Sequence, residues 1–155
     1  MCGIAGLFGP AAAGSPDEME HIIRRMGLAL RHRGPDDDGM WLDTEAAVAL
    51  GHRRRSIIDV SPEGSQPMVS ACGRYVLTYH GENYNFQQMR AQLAHTGHSF
   101  RGHSDTEVLL AAVVAWGLEE AIARSNGMIA FALWNRQRRV LSLARDRSEA
   151  SLLRA

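Results

Sequence analysis

The sequence predicts a single α+β domain, with helices and strands interspersed along the chain. Three observations lead there. A length of 155 residues suits one domain, and a 45% apolar composition is enough to fill its core. Two capping signals each precede a run of helically spaced apolar residues. Several segments rich in β-branched and aromatic residues lie between turn-forming clusters, with no internal repeat, low-complexity stretch or long linker.

The first helix is signalled by Ser15-Pro16-Asp17-Glu18, a capping box with proline at the first helical position. Met19, Ile22, Ile23, Met26 and Leu30 follow at helical spacing, so the helix is expected to run to about Arg33 and stop at Gly34-Pro35. Strands are predicted over Ala46 to His52 and Arg74 to His80. Phe86, Met89 and Leu93 share one face of a second helix that ends at Gly97. Ser104-Asp105-Thr106-Glu107 forms a second capping box ahead of Val108 to Trp116. Met128 to Trp134 and Val140 to Ala144 then flank a polar connection, Asn135 to Arg139, and read as a hairpin.

Composition excludes several function classes. Lys plus Arg balances Asp plus Glu, 17 against 17, so no net field draws the molecule to nucleic acid or an anionic membrane. Two cysteines, Cys2 and Cys72, make no disulfide framework, and the opening stretch lacks the basic flank and apolar core of a signal peptide. A reducing, cytoplasmic setting is therefore expected. No apolar run approaches the roughly 20 residues of a bilayer span, and residue 2 is not the glycine that myristoylation needs. His95, His98 and His103 match no zinc spacing, so no metal site is predicted.

The segment "MCGIAGLFG" places a cysteine directly behind the initiator methionine. An isolated cysteine near a terminus usually only packs. Position 2 changes the weighing, because aminopeptidases remove a methionine that precedes a small side chain. Cys2 would then carry a free α-amine beside its own thiol. Amines and thiols of this kind titrate close together, at about 8 and about 8.5, so the amine can take the thiol's proton directly or through a water. Gly3 and Gly6 fit either close approach of a ligand or a tight first strand inside a sheet. A papain-like pairing of Cys2 with His80 is a further arrangement, whose distance the sequence does not fix.

The blocks "MCGIAGLFG", "RHRGPDDDGMW", "GHRRRSIIDVSPEGSQPM", "GENYNF", "GHSDTEVLL", "NGMIAFALW" and "LARDR" occur in that order over nearly the whole chain. Together they resemble the N-terminal glutaminase domain of glutamine-dependent asparagine synthetases, within the class II glutamine amidotransferases. The resemblance implies a four-layer αββα sandwich of the N-terminal nucleophile hydrolase type, over residues 1–147. Residues 148–155 read as a divergent short tail, so the sandwich is expected to lack its last strands, and a synthetase domain with its nucleotide loop is expected to be absent.

By the same resemblance, Cys2 attacks the carboxamide of glutamine and the α-amine handles the protons. Arg54 matches the arginine that grips the substrate α-carboxylate, which suits its fixed fork of donors; otherwise Arg53 to Arg55 would be a solvated basic run. Asp105 matches the residue that holds the α-ammonium, and Glu82 an acidic residue beside it. Gly81 matches a backbone N–H of the oxyanion hole. His80 stands where the family has an asparagine whose amide also serves that hole, and one such donor is worth on the order of 10² to 10³ in rate. Arg55 and Asn83 stand where apolar residues are usual, so both are expected as polar groups facing the core and needing partners.

Two readings stay open. In one the chain is a glutaminase for asparagine biosynthesis, passing ammonia to a separately encoded synthetase domain that makes the amide of an acceptor such as aspartate. In the other it is a non-catalytic remnant or glutamine-binding module. Either way the resemblance implies glutamine as ligand and no cofactor in this chain, ATP and Mg belonging to the synthetase domain. An uncovered sheet edge also points to self-association.

Overall fold

A computed structural model describes residues 2–9, 14–55 and 64–146. The expected tail and missing last strands lie outside the described residues. Strands β1 (Gly3–Phe8), β2 (Asp37–Asp43) and β3 (Val48–Arg54) form an antiparallel sheet in the order β1-β3-β2. A second antiparallel sheet, in the order β4-β5-β6-β7, comprises β4 (Met68–Val69), β5 (Tyr75–Asn83), β6 (Gly127–Asn135) and β7 (Val140–Arg145). Helix α1 (Pro16–Ala29) covers the first sheet; α2 (Phe86–His95), α3 (Asp105–Trp116) and α4 (Leu118–Arg124) cover the second.

Side-chain alternation along the strands explains the four layers. On β3, Ala49 packs with Met19 and Ile23 of α1, while Val48 and Leu50 pack with Val76 and Trp134 of the opposite sheet. On β5, Leu77 and Tyr79 face α2 and α3 with Met89, Leu93 and Val108. The central strands of the two sheets, β3, β5 and β6, are thus buried on two faces, one against helix and one against the other sheet. This is the αββα sandwich expected from the sequence.

The caps explain where the helices start. Ser15 Oγ accepts from Glu18 N–H at 3.2 Å, and Glu18 Oε2 accepts from Ser15 N–H at 2.9 Å, the reciprocal pair that defines a capping box. Helix α1 ends at Ala29 rather than near Arg33 because Leu30, Arg31 and Arg33 donate to carbonyls three residues back, tightening the chain into turns. At α3 the box is only half made. Ser104 Oγ accepts from Glu107 N–H at 3.2 Å, but the Glu107 carboxylate instead accepts from Arg101 and Gly102 N–H at 2.8 and 2.9 Å, closing the preceding loop.

One expectation about the core is corrected. Arg55 is exposed at the end of β3, so it faces solvent and needs no buried partner. Asn83 is buried as expected, and its Nδ2 donates only to the Met89 thioether at 3.3 Å, leaving Oδ1 unpaired. No helix among the described residues is long and apolar enough to cross a membrane.

Candidate active site

Every residue of β3 is buried, which forces its polar end to be satisfied from within. Arg53 faces α1, donating from Nε to Gly34 O at 3.1 Å and pairing through Nη1 with Asp38 Oδ1 at 3.1 Å. Gly34 lies so close to the Arg53 backbone that a Cβ there would collide with its carbonyl. Arg54 points the other way, toward the second sheet, with Asp37 Oδ2 at 3.8 Å; Ser65 Oγ donates to the same oxygen at 3.1 Å. The basic triplet is therefore two buried, paired arginines and one exposed one, and the acidic run Asp37-Asp38 supplies their counter-ions. No local pattern in the sequence signals that role, because the pairing of β2 with β3 creates it.

Cys2 continues β1, where Gly3 pairs with Arg53, so it falls beside Arg54 on the face toward the second sheet. Its sulfur accepts from Arg55 N–H at 3.3 Å and lies 3.7 Å from Arg55 O. Strands β3 and β5 are stacked in the same direction. Val48 and Leu50 meet Val76, and His52 Nε2 bonds Tyr79 O at 3.1 Å, which brings Arg54 level with the Glu82 end of β5. By alternation His80 and Glu82 face the first sheet, toward Arg54 and Cys2.

The free edge of β5 supplies the remaining groups. Tyr79 N–H donates to Gln66 Oε1 at 2.6 Å and Asn83 N–H to Asp105 Oδ2 at 3.0 Å, so both point away from β6. The period of two then directs Gly81 N–H off the same edge, and no side chain among the described residues is bonded to it. A Cβ at Gly81 would run into Met128 O, which makes glycine obligatory there. Opposite Gly81, Ile129 N–H donates to Asp146 Oδ2 at 2.8 Å and Ile129 O accepts from Asp146 N–H at 2.7 Å, fixing β6 at this level. Asp105 stands at the start of α3, on the helix side of the same edge.

Burial tunes the ionisable groups. His52, 2% exposed, is pushed down to about 4, chiefly by desolvation, with nearby His80 and Arg54 adding to the effect. His80 is also pushed below its ordinary value, first by desolvation and then by Arg33, with Asp146 opposing. Desolvation raises the Asp105 carboxyl, while N–H donation from Asn83 works against it. Tyr79 is raised by burial and by the neighbouring Asp105. The structure thus brings Cys2, Arg54, His80 and Glu82 to the layer between the sheets and sets Gly81 and Asp105 along the β5 edge. His52, Gln66 and Tyr79 join them, and sequence reasoning singled out none of the three. No group of three or more potential metal ligands occurs among the described residues.

A layered αββα sandwich with a thiol at the start of its first strand defines the N-terminal nucleophile class. Within it, the model of the glutamine amidotransferase domain family matches residues 1–151, and the chain belongs to that family, in its class II branch. It is 40% identical over 146 residues to asparagine synthetase [glutamine-hydrolyzing] 1 of Bacillus subtilis, covering 94% of this chain and 22% of that protein. It is 37% identical over 154 residues to amidase chry2 of Gibberella zeae, covering 95% of this chain and 23% of that protein. The chain therefore spans less than a quarter of the length of these relatives. Among solved structures, the glutamine phosphoribosylpyrophosphate amidotransferase of Bacillus subtilis shares the fold, with a TM-score of 0.69 and 23% identity over 92% of this chain and 37% of that one.

Proposed function

We propose that this domain hydrolyses glutamine to glutamate and ammonia for transfer to an acceptor such as aspartate. Cys2, exposed as the first residue by removal of Met1, attacks the carboxamide carbon through sulfur. Its α-amine takes the thiol proton and returns it to the departing nitrogen, which leaves as ammonia. Water then opens the thioester, releasing glutamate and restoring the thiol. Arg54 holds the α-carboxylate, Asp105 with Glu82 the α-ammonium, and the Gly81 N–H meets the developing oxyanion. Family membership makes amide chemistry the expectation. The observation that carries the assignment to these residues is the unbonded Gly81 N–H, flanked on one strand edge by N–H groups already taken by Gln66 and Asp105.

In this reading the ammonia passes to a synthetase domain, which would bind ATP and magnesium, while the present domain needs no cofactor. The asparagine synthetase relatives support aspartate as acceptor, and the relative named an amidase supports a wider choice. Self-association through the second sheet is a further expectation. Intact-mass measurement should find the chain without Met1, and ammonia release from glutamine should vanish in Cys2→Ala. Retained methionine would block the amine and overturn the mechanism.

His80 favours a second reading, a domain that binds glutamine without turning it over. Its lowered pKa keeps the imidazole neutral near pH 7, with one N–H to donate and a different reach from a carboxamide. Calorimetry with Cys2→Ala distinguishes binding from turnover, and analogues of glutamine lacking the α-amine or α-carboxylate test Asp105 and Arg54 separately.

A further inference from the structure

The hydroxyl of Tyr79 takes no part in the chemistry above, yet it is built into the site. Tyr79 is 2% exposed in the apolar layer between β5 and the helices, where phenylalanine would fill the same space with no polar atom to satisfy. Its O–H donates to Asp105 Oδ2 at 3.3 Å, and Asn83 N–H donates to the same oxygen at 3.0 Å. Both bonds fall on Oδ2, so the carboxylate is held on the β5 side through that one oxygen. The Tyr79 backbone is itself held at both ends, its N–H by Gln66 Oε1 at 2.6 Å and its carbonyl by His52 Nε2 at 3.1 Å. Gln66 Nε2 in turn donates to Thr106 Oγ1 at 3.1 Å, tying β5 to the first turn of α3 that carries Asp105. Gly81 completes the arrangement, since a Cβ there would lie 2.9 Å from the Tyr79 hydroxyl oxygen. The glycine leaves room for the phenol to reach the carboxylate.

We propose that Tyr79 is a positioning residue for amino-acid recognition: its hydroxyl, by holding Oδ2, fixes the orientation in which the Asp105 carboxylate meets the substrate α-ammonium, and this sets the preference for glutamine over the same amide lacking its amine. The proposal rests on the reading of Asp105 as the ammonium-binding residue. A carboxylate already held by two hydrogen bonds has less freedom to lose on binding, so more of the ion pair's strength goes into recognition.

The test compares glutamine with 4-carbamoylbutanoate, which keeps the amide and the α-carboxylate but has no amine. Both are titrated calorimetrically into Cys2→Ala and into Cys2→Ala combined with Tyr79→Phe. The second substitution should weaken glutamine about tenfold and leave 4-carbamoylbutanoate within about twofold, following the strength of a hydrogen bond to a charged group. Equal weakening of both ligands, or none, overturns the proposal and leaves Tyr79 a packing residue. If Cys2→Ala itself binds neither ligand, the glutamine reading fails first, a result separable from failure of the tyrosine substitution alone. Tyr79→Leu guards against a packing artefact. It should lower the melting temperature more than Tyr79→Phe while costing the same tenfold in preference, and a loss that tracked melting temperature instead would refute the positioning role.

Discussion

At position 52 the layer between the sheets accommodates a neutral imidazole and resists a charged one. His52 moves from its ordinary 6.5 to about 4, so between those pH values the unfolded chain binds a proton that the folded chain refuses. Stability is therefore complete above about pH 6.5 and is lost as pH falls toward 4, by about 3 kcal/mol in all. His80 is shifted in the same sense, whereas Asp105, raised above its ordinary 3.8, takes up its proton sooner in the folded chain and offsets part of the loss at the acid end. Urea denaturation at about pH 7 and about pH 4.5 should show the decline, and His52→Gln should flatten it; an unchanged slope would assign the effect elsewhere. His80→Asn tests catalysis at the same scale. It should raise ammonia release by one to three orders of magnitude with little change in binding, because the added donor meets the oxygen most strongly in the tetrahedral state. A parent that turns over briskly and is slowed by the substitution would make the imidazole itself the donor. Asn83→Ile removes an unpaired buried carbonyl and should stabilise the fold by about 1 to 2 kcal/mol in the same denaturation assay.

Elements with a local signal were readable in the sequence, and those made by partners were not. Helix α1 starts where its capping box places it, and the β6–β7 hairpin falls at the predicted strands. Ser15→Ala should cost about 1 kcal/mol by thermal melting, since it removes the acceptor for Glu18 N–H and the cap that starts the helix. Strand β2 escaped notice because Asp37, Asp38 and Gly39 are poor strand formers; pairing with β3 and the counter-charges of Arg53 and Arg54 hold it extended. The start of α4 at Gly117 has no side-chain hydrogen bond to mark it. At the site, Cys2, Arg54, Glu82 and Asp105 came from recognisable blocks, and the alternation of β3 and β5 turns Arg54 and Glu82 toward the layer between the sheets. Tyr79, Gln66 and His52 were invisible for a different reason. Their roles lie in bonds between segments 13 to 40 residues apart, which no local pattern encodes.

For the whole molecule, the two sheets differ in width, and the difference leaves apolar surface open. Among the described residues the first sheet has three strands and the second four, so β7 lies at an edge of the wider one. On β7, Leu141 packs beneath Val48 and Trp134, but Leu143, on the same inward face, is 66% exposed, and Val140 beside them is 49% exposed. An edge strand offers unpaired backbone donors and acceptors, and one carrying exposed leucine and valine adds an apolar reason to pair. In the longer relatives this surface would be available to the rest of the protein. In the isolated chain a second copy can take the same place by pairing β7 against β7 across a two-fold axis. The expected outcome is reversible, concentration-dependent association, seen by light scattering on a size-exclusion column over the micromolar range. Leu143→Lys should shift the population to monomer without lowering the melting temperature, because the side chain is already in solvent. A parent that stays monomeric throughout, or a lysine variant that associates as readily, would show that β7 protects its own edge.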